Sequence, residues 1–274
     1  MPELPEVETV ARGLRAGVLG RRLRAVALPR PAFFRGAPAR LAALEGAACT
    51  AVRRAGKYLV LEFTAAAGAR WQLMLHLGMS GRLRLHPAGA ARAPHTHAIF
   101  VWDDGRELHF SDPRRFGRLA LAPAPAEGFA PELAVAAGAE PLEISEAGFL
   151  ARFHGRNAPI KNALMNQKLL RGLGNIYADE SLFRAGIHPC ARRLSGPRLA
   201  RLRLAIRAVL RQAIAAGGSS ISDYVDSDGQ PGWFHLRHRV YGRTGEPCRG
   251  CGAPVRRIVL AGRSAHFCPR CQRR

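Results

Sequence analysis

The chain opens with the stretch MPELPEVETV, residues 1–10, around which the rest of the sequence is organised. Pro2 follows the initiator Met1, and a small second residue generally permits removal of that methionine. The mature chain would then begin with a secondary amine beside the carboxylate of Glu3. An α-amino group titrates near pH ~8, so part of it is neutral and nucleophilic near neutrality. The same residues also fit an ordinary acidic helix start, so this stretch alone leaves both interpretations open.

Apolar residues continue from this stretch at the spacing of one helical face. Three glutamates fall among the first eight residues, where the positive end of a helix favours negative charge. The pattern therefore predicts a helix whose positive end also favours an unprotonated amine at Pro2. The apolar positions are Val7, Val10, Ala11, Leu14 and Val18.

The composition is strongly basic. Forty-two Lys and Arg residues against twenty Asp and Glu residues give a net charge of +22 and a pI near 11.4. This charge favours a polyanionic partner, either nucleic acid or an anionic membrane surface. Only three of the basic residues are lysines, so each one is a candidate for a specific role: Lys57, Lys161 and Lys168.

Length and cysteine usage indicate an intracellular protein of more than one domain. A chain of 274 residues is long enough for two domains and a small module. No apolar run approaches ~20 residues and the start lacks a signal peptide, so we expect no membrane span and no export. Four of the six cysteines fall in the last 27 residues, whereas Cys49 and Cys190 are isolated. This usage is typical of a metal site in a reducing compartment, so we expect a cytoplasmic protein.

The C-terminal cysteines form two CxxC pairs separated by sixteen residues. This is the spacing of a zinc ribbon with four thiolate ligands, which leave no open coordination position, so the metal is expected to be structural. Arginines are frequent in the same segment, which favours a contact with DNA, although zinc ribbons also bind proteins. The predicted ligands are Cys248, Cys251, Cys268 and Cys271.

Between residues 23 and 122 the sequence consists of short apolar or alternating runs separated by turn residues. Such regular spacing predicts a β-sandwich or barrel. Residues 122–126 then indicate a stiff hinge, and the pattern becomes helical from Pro131 to Ala216, where Gly217-Gly218 ends the last helix. Residues 87–94 are expected to form a surface loop, and residues 219–233 a polar loop. The predicted strands are Leu23–Leu28, Tyr58–Phe63, Trp71–Leu77, Arg82–Leu85, Ala98–Trp102 and Glu107–Phe110.

Two turns carry residues suited to DNA. In residues 112–117, an arginine next to Phe116 suits insertion into the minor groove, where an apolar side chain unstacks a base step. Met79, in the glycine-flanked residues 76–81, is a second candidate wedge. A buried Phe and a buried Met are commoner, so each motif taken alone favours a place in the core.

Two further segments allow a functional and a structural interpretation. Residues 172–180 form a glycine-flanked turn that opens a helix, with Asn175 at or near the N-cap. Backbone amides there can hold a phosphate, or the turn is a simple cap. Lys57 enters an otherwise apolar strand, where it either extends to the surface or contacts a phosphate or the reacting atoms.

Taken together, these segments resemble the bacterial formamidopyrimidine-DNA glycosylases from end to end of the chain and in the family's order. The related endonuclease VIII-like glycosylases share the Pro-Glu start and the ribbon, but Leu4 and residues 241–248 resemble the formamidopyrimidine branch more closely. The matching segments are residues 2–9, 56–59, 76–81, 112–117, 174–180, 222–223, 228–229, 231–232 and 241–243, together with the ribbon.

The resemblance implies an α+β fold. An N-terminal helix and β-sandwich domain (residues 1–122) would be followed by a hinge linker (123–130). A helix–two-turns–helix domain with a lesion-recognition loop (131–234) and a C-terminal zinc ribbon (235–274) would complete the chain. We expect one structural Zn²⁺ and no organic cofactor.

The implied activity is excision of oxidised purines, notably 8-oxoguanine and formamidopyrimidines, followed by strand cleavage at the abasic site. The implied partner is double-stranded DNA containing oxidised bases, with no membrane partner and with the protein acting as a monomer. Two alternatives remain: an endonuclease VIII-like enzyme for oxidised pyrimidines, and a catalytically inactive, zinc-dependent DNA-binding homologue.

Residue roles follow position by position from the same resemblance. Pro2 would be the nucleophile, Glu3 its acid partner, and Lys57 and Arg263 the residues of the elimination steps and of phosphate binding. At Asn157 the family often has a basic residue, so no contact is carried over there. The residues implied to contact DNA are His76, Met79, His95, Arg114, Phe116, Lys161, Asn175 and Tyr241.

Overall fold

The structure, a computed structural model, describes residues 2–133, 135, 137–220 and 224–274. It divides into two units, and each has its own core. Unit 1 contains Met1–Val135 and Gly217–Gly232, and unit 2 contains Ala136–Ala216 and Trp233–Arg274. Met1 and residues 222–223, part of the motif cited above, lie outside the described residues.

The first helix, α1 (Leu4–Val18), begins where the sequence predicts it. Glu3 is the N-cap residue, and its backbone N–H donates to Glu6 Oε2 at 2.7 Å, which satisfies one of the donors that a helix start leaves open. All five apolar positions of the predicted face are buried. The helix is therefore held by its apolar stripe against the sheets of unit 1.

Unit 1 is a sandwich of two sheets. One has the strand order β2-β9-β5-β4-β3 and the other β1-β7-β8-β6. Phe63 of the first sheet stacks on Trp102 of the second with ring centroids 6.2 Å apart, and both are buried. The strands are β1 (Leu23–Ala27), β2 (Phe34–Arg35), β3 (Ala48–Ala55), β4 (Tyr58–Thr64), β5 (Arg70–His76), β6 (Arg82–His86), β7 (Thr96–Trp102), β8 (Glu107–Ser111) and β9 (Arg118–Pro123).

The six predicted strands are confirmed to within one or two residues, and residues 87–94 lie mostly at the surface. Three strands were not predicted. β2 has only two residues, and β3 pairs along its length with β4 although arginines interrupt its apolar pattern. β9 runs into the proline-rich segment that the sequence assigned to the hinge, because Pro123 stands opposite Trp71 at the strand end, where a missing N–H costs little.

The segment after β9 is tied to the sandwich. Buried Gln72, on β5, donates from Nε2 to the carbonyl oxygen of Gly128 at 2.9 Å and accepts the backbone N–H of Ala130 at 2.8 Å. One side chain of β5 therefore fixes the backbone of the predicted linker near residue 130. The prolines of the linker restrict its conformation further.

Residues 217–232, which the sequence placed with the helical domain, belong to unit 1. The backbone N–H of Ser219 donates to Glu6 Oε1 at 2.8 Å, and Tyr224 donates its hydroxyl to the Glu6 carbonyl oxygen at 3.2 Å. Gly218 has φ +86° and a Cβ there would lie 2.8 Å from Glu6 Oε1, so only glycine permits this approach. This segment therefore belongs with α1, which is far away in sequence, and not with the helix that directly precedes it in the chain.

Unit 2 is built from helices and a two-stranded ribbon. α4 packs against α5, and the ribbon strands pair antiparallel next to α4. The last predicted helix is confirmed, with its end just before Gly217. The elements are α2 (Glu146–Phe153), α3 (Ile160–Met165), α4 (Asn175–Arg184), α5 (Gly196–Ala215), β10 (Arg256–Leu260) and β11 (Arg263–Phe267).

The predicted α+β fold class, with a helix and β-sandwich followed by a helical region and a cysteine-bearing ribbon, is confirmed. Among the described residues, none of the helices combines the length and the apolar character needed to cross a membrane.

Glu6→Ala tests the attachment of residues 217–232 to α1. The change removes a buried carboxylate that accepts two backbone N–H groups, so we expect the free energy of unfolding to fall by about 3 kcal/mol. Glu45→Ala, at an exposed glutamate of the same unit, should change it by less than about 0.5 kcal/mol. Urea titration followed by circular dichroism measures both, and equal effects would contradict the attachment.

Candidate active site and DNA interface

The predicted nucleophile lies at the start of α1. Pro2 is buried, and Glu3 is only 2% exposed at the N-cap of the helix. Glu6, one turn further on, uses one carboxylate oxygen for Glu3 N and the other for Ser219 N. Glu3, next to Pro2, is therefore held by Glu6, which is itself fixed by the backbone of Ser219.

Lys57 and His76 lie on neighbouring strand ends of the same sheet. Lys57 occupies the tight turn between β3 and β4 and is 7% exposed, while the next residue, Tyr58, stands opposite His76 on β5. Burial, together with the positive charges of Lys57 and Arg35, lowers the pKa of His76 to about 4. Its Nδ1 accepts the backbone N–H of Gly78 at 3.2 Å, so Nε2 carries the proton and can donate to a phosphate oxygen.

The two candidate wedge loops are joined by one buried carboxylate. Asp112, fully buried, accepts the Ser80 hydroxyl at 2.6 Å and the backbone N–H of Gly117 at 2.7 Å. A Cβ on Gly78 (φ +62°) would lie 2.5 Å from Gly117 N, so the backbones of the loops are in direct contact. The loops carrying Met79 and residues 114–116 therefore act as one rigid piece.

The tips of these loops are at the surface. Phe116 is 51% exposed and Met79 is 40% exposed, and the guanidinium carbon of Arg114 lies 5.0 Å from the centre of the Phe116 ring. The expectation that each motif alone places its apolar residue in the core is wrong. The polar groups of the loops are bound to buried Asp112, while the apolar side chains at the tips face the solvent.

His95 lies beside the same structure. It is exposed, with φ +63°, and its carbonyl oxygen accepts the backbone N–H of Asp112 at 3.0 Å. A non-glycine residue in the left-handed region is uncommon and marks a constrained position. Unit 1 therefore brings the predicted residues into two local groups: Pro2 with Glu3 at the helix start, and Lys57, His76, Met79, His95, Arg114 and Phe116 around the strand ends and loops.

The remaining residues implied to contact DNA or phosphate lie around α4 in unit 2. Gly174 is the N-cap, and Asn175, which the sequence placed at or near the cap, is the first helical residue. Its Nδ2 donates to the Ser264 hydroxyl at 3.2 Å. Arg263, exposed at the first position of β11, follows the tight turn formed by Ala261 (φ +47°) and Gly262 (φ +74°).

Lys161, which the resemblance implied as a DNA contact, is 1% exposed. Its Nζ lies 2.6 Å from Asp179 Oδ1 and also donates to the Ser264 carbonyl oxygen. The other carboxylate oxygen of Asp179 accepts the backbone N–H of His266 at 2.8 Å. The ammonium group is therefore part of a buried network rather than of the surface.

Tyr241 is held by the next acid along α4. Glu180 Oε1 accepts the backbone N–H groups of Val240 at 3.0 Å and of Tyr241 at 2.9 Å. Burial raises the pKa of Glu180 despite these bonds, and the charge of Asp179 acts in the same direction. The phenol ring of Tyr241 packs edge-on against His266 at 4.9 Å.

Sequence analysis did not assign roles to four of these residues: Glu6, Asp112, Asp179 and Glu180. Each lies inside a motif that was recognised, but an acidic residue in a polar motif is normally solvated. Only the folded chain shows that backbone donors surround these carboxylates.

The four C-terminal cysteines meet at one point. Their Sγ atoms all lie within 4.8 Å of one another, with 3.4 Å between Cys251 and Cys268 and 3.9 Å between Cys248 and Cys271. Tetrahedral zinc with Zn–S bonds of ~2.3 Å needs S–S distances near ~3.8 Å. The donor set and its spacing therefore fit zinc and leave no ligand position open.

Comparison with known proteins agrees with this geometry. Three family models match the chain: "Formamidopyrimidine-DNA glycosylase N-terminal domain" over residues 1–119, its "H2TH domain" over residues 137–225, and "Zinc finger found in FPG and IleRS" over residues 245–274. Formamidopyrimidine-DNA glycosylase of Solibacter usitatus is 47% identical over the full length of both chains, and that of Gluconobacter oxydans is 46% identical, also over both full lengths.

The chain belongs to the formamidopyrimidine-DNA glycosylase family. Solved structures of similar proteins include the MutM (Fpg) protein of Thermus thermophilus, with a TM-score of 0.85 and 44% identity over 99% of this chain and 98% of that one. Another is the wild-type Lactococcus lactis Fpg in complex with DNA containing N7-benzyl-Fapy-dG, with a TM-score of 0.89 and 35% identity over all of both chains.

Membership in this family makes the protein an enzyme, a DNA glycosylase with the lyase activity at abasic sites that is characteristic of the family. Its macromolecular partner is DNA, and its cysteine cluster is the site of one structural zinc ion. Bound through these four cysteines, zinc would hold the two ribbon strands, one of which begins with Arg263.

The lowered pKa of His76 predicts a pH dependence of stability. Above pH 6.5 the imidazole is neutral in both folded and unfolded chains, whereas between pH 6.5 and about 4 only the unfolded chain binds the proton. The free energy of unfolding should therefore fall by about 3 kcal/mol through this window as the pH is lowered.

His76→Gln should remove this contribution from the pH profile measured by urea titration. His238, whose pKa burial lowers to about 4, should contribute in the same direction, so the double variant His76→Gln/His238→Gln should have the flattest profile. An unchanged slope in both variants would contradict the lowered pKa values.

Proposed function

We propose that this enzyme removes oxidised purines, 8-oxoguanine and formamidopyrimidines, from duplex DNA and then cuts the abasic site by β,δ-elimination through a Schiff base on Pro2. The observation that carries the proposal is the start of α1. There Pro2 and Glu3 are buried at the positive end of a helix, in the same unit as Lys57 and His76. DNA as substrate gives the expected location, the cytoplasm beside the nucleoid.

The reaction begins with base release. The C1′ atom is inaccessible in the stack, so the nucleotide must be turned out of the duplex, at a cost of a few kcal/mol. In the proposed reaction the Pro2 nitrogen attacks C1′, and the base departs with its bonding electrons and gains a proton. Glu3 is the acid that protonates the deoxyribose ring oxygen, and ring opening yields an iminium ion.

Strand cleavage follows from that iminium. A secondary amine gives a cation that needs no proton to stay charged, and this cation withdraws electrons and acidifies the C2′ proton. Loss of that proton expels the 3′-phosphate, and a second elimination expels the 5′-phosphate. We assign phosphate binding and these steps to Lys57 and Arg263, with His76 and Asn175 as further phosphate contacts and Tyr241 as a DNA contact.

Asn175 suits that assignment because of where its amide lies. Its buried Oδ1 has no hydrogen-bond partner, while Nδ2 donates to the Ser264 hydroxyl. A half-turn of the amide lets Ser264 donate to Oδ1 and releases Nδ2 toward a phosphate. The first backbone N–H groups of α4 point to the same place, where the helix end favours an anion.

Met79, Arg114 and Phe116 are proposed to fill the gap that the everted nucleotide leaves, with His95 as a neighbouring DNA contact. The exposure of Phe116 and Met79 supports this, because a side chain that enters DNA must be free at the surface. Arg114, stacked beside the Phe116 ring, is positioned to hydrogen-bond the unpaired base opposite.

The related Lactococcus lactis protein has been solved with DNA that contains Fapy-dG, which supports the purine assignment. The alternative, preference for oxidised pyrimidines, is decided by cutting duplexes that each carry one defined lesion. Faster release of an oxidised pyrimidine than of 8-oxoguanine would reverse the assignment.

Pro2 is tested by trapping. The mature chain should cut lesion DNA and form an adduct with borohydride that peptide mass mapping places on residue 2. A chain that keeps Met1 should bind but not cut, because a tertiary amide nitrogen delocalises its lone pair into the carbonyl. Pro2→Gly should keep partial activity, since it keeps a free amine, and Glu3→Gln should lose base release more than cleavage at abasic sites.

Pro5→Ala, at a proline inside the first turn of α1, is the matched control and should form the same adduct at residue 2. An adduct on Lys57, or full activity in chains that keep Met1, would disprove the Pro2 assignment.

Phe116→Ala separates eversion from chemistry. Because Phe116 is exposed, the change should leave the free energy of unfolding within about 0.5 kcal/mol of the parent. It should slow excision from paired lesion duplexes roughly tenfold or more, yet spare cleavage of a preformed abasic site, where unstacking costs less. Leu19→Ala, at an equally exposed apolar residue (51%), should change neither rate. Equal losses on both substrates would contradict a wedge.

A further inference from the structure

Lys161 and Asp179 form an ion pair that is almost completely inside unit 2. Lys161 is 1% exposed and Asp179 is 0% exposed, with Nζ and Oδ1 2.6 Å apart. Removing two charges from water is unfavourable, so a pair of this kind persists where its geometry is needed or where further bonds compensate. Here further bonds of both residues lead to one strand.

That strand is β11, which begins with Arg263. Nζ of Lys161 donates to the carbonyl oxygen of Ser264, the residue next to Arg263. Asp179 Oδ2 accepts the backbone N–H of His266 at 2.8 Å and lies 3.1 Å from its ring Nδ1. Two residues of β11 are thus held from α3 and α4 by one pair of charges.

The start of α4 adds a third attachment. Asn175 and Asp179 are four residues apart on α4, so they lie on one face of the helix. Asn175 Nδ2 binds the Ser264 hydroxyl at 3.2 Å while Asp179 binds His266. The result is a fixed separation between the first turn of α4 and the turn that presents Arg263.

We propose that Lys161 and Asp179 are positioning residues, which hold Arg263 at the distance from Asn175 and the α4 amides that one DNA phosphate requires. Lys161 then acts through Ser264 and does not touch DNA. This inference rests on the proposed phosphate-binding function of Arg263 and Asn175.

The ion pair fixes the backbone that follows Arg263 and not the Arg263 side chain itself. Arg263 is exposed on a two-residue turn, where a long side chain has many conformations. Only its backbone can be fixed in advance, and the described contacts fix it through the residues that follow it in β11. If the ribbon were not attached, the backbone of Arg263 could move relative to α4. DNA binding would then have to remove more conformational entropy than it does with a preformed site.

The test compares binding of a duplex that carries a tetrahydrofuran abasic analogue, which the enzyme cannot cleave, across a salt series for the parent and the variants Lys161→Gln, Asp179→Asn and Arg263→Ala. Arg263→Ala should lower the magnitude of the log K against log salt slope by about one, since one phosphate contact is lost. Lys161→Gln and Asp179→Asn should each raise the Kd roughly tenfold and lower the slope by a similar amount.

The decisive measurement is made in the Arg263→Ala background. If Asp179 and Lys161 act through Arg263, adding either of their substitutions to Arg263→Ala should change the Kd by less than about twofold and the slope not at all. Additive losses would overturn the proposal. A further fall in slope with Lys161→Gln would show that Lys161 itself contacts a phosphate, and would also overturn it.

Rescue and controls exclude a general loss of folding. The double variant Lys161→Gln/Asp179→Asn leaves no unpaired buried charge and keeps an amide that can accept the His266 N–H, so it should recover part of the affinity of either single variant. Glu246→Gln, which breaks the ion pair of Glu246 with Arg243 beside the ribbon, should leave the Kd and the slope unchanged.

Zinc content and the fraction of enzyme trapped by borohydride are measured for every variant. If a variant has a smaller fraction of active enzyme but the slope and Kd of the parent, its weaker binding signal reflects inactive protein. That result would overturn the positioning role. Binding slopes do not depend on catalysis, so failure of the parent enzyme to cut lesion DNA would count against the proposed function and not against this inference.

Discussion

Four segments outside the regular strands and helices, or at their ends, depend on one kind of interaction, a buried carboxylate that accepts hydrogen bonds from backbone N–H groups. Glu6 holds residues 217–220, Asp112 joins the two wedge loops, and Asp179 and Glu180 hold the ribbon and the segment before it. A buried N–H without a partner costs as much as a lost hydrogen bond, and loops have few partners of their own. An ionised carboxylate accepts several donors at once, so a single side chain can fix a whole turn.

This use of acids also shapes the outer charge. The chain has 20 acidic residues against 42 basic ones, and several of the acids lie inside, including Glu3, Glu6, Asp112, Asp179 and Glu180. The exposed surface is therefore more basic than the composition alone suggests. Repulsion among surface arginines opposes folding, but the same excess attracts a polyanion from a distance and strengthens its binding through counterion release. Placing acidic residues inside and basic residues outside therefore serves both the hydrogen bonding of the buried backbone and the binding of DNA.

In two places an exposed side chain lies on a backbone segment that buried groups hold in position. Phe116 and Met79 project from loops whose polar groups are fixed by Asp112, and Arg263 projects from a ribbon fixed by zinc-binding cysteines on one side and by Asp179 on the other. Side chains that are proposed to contact DNA cannot be held by packing before DNA arrives. Fixing the backbone beneath them lowers the entropy that binding has to remove.

The sequence by itself determined the helix of residues 4–18, six of the strands, the long helix that ends before Gly217 and the four thiolates of the metal site, because each rests on a local period or a short spacing. End-to-end resemblance supplied the candidate residues of the site. The tertiary structure alone decided that Phe116 is exposed, that Lys161 is buried, that Ser219 and Tyr224 bind α1 and that β3 and β9 complete a sheet. Each of these depends on partners far away in sequence: Asp112 for the loops, Asp179 for Lys161, Glu6 for Ser219, and β4 and β5 for the unpredicted strands. Periodicity shows which face of an element is apolar but not which buried acid will meet which backbone amide, so those contacts appear only once the chain has folded.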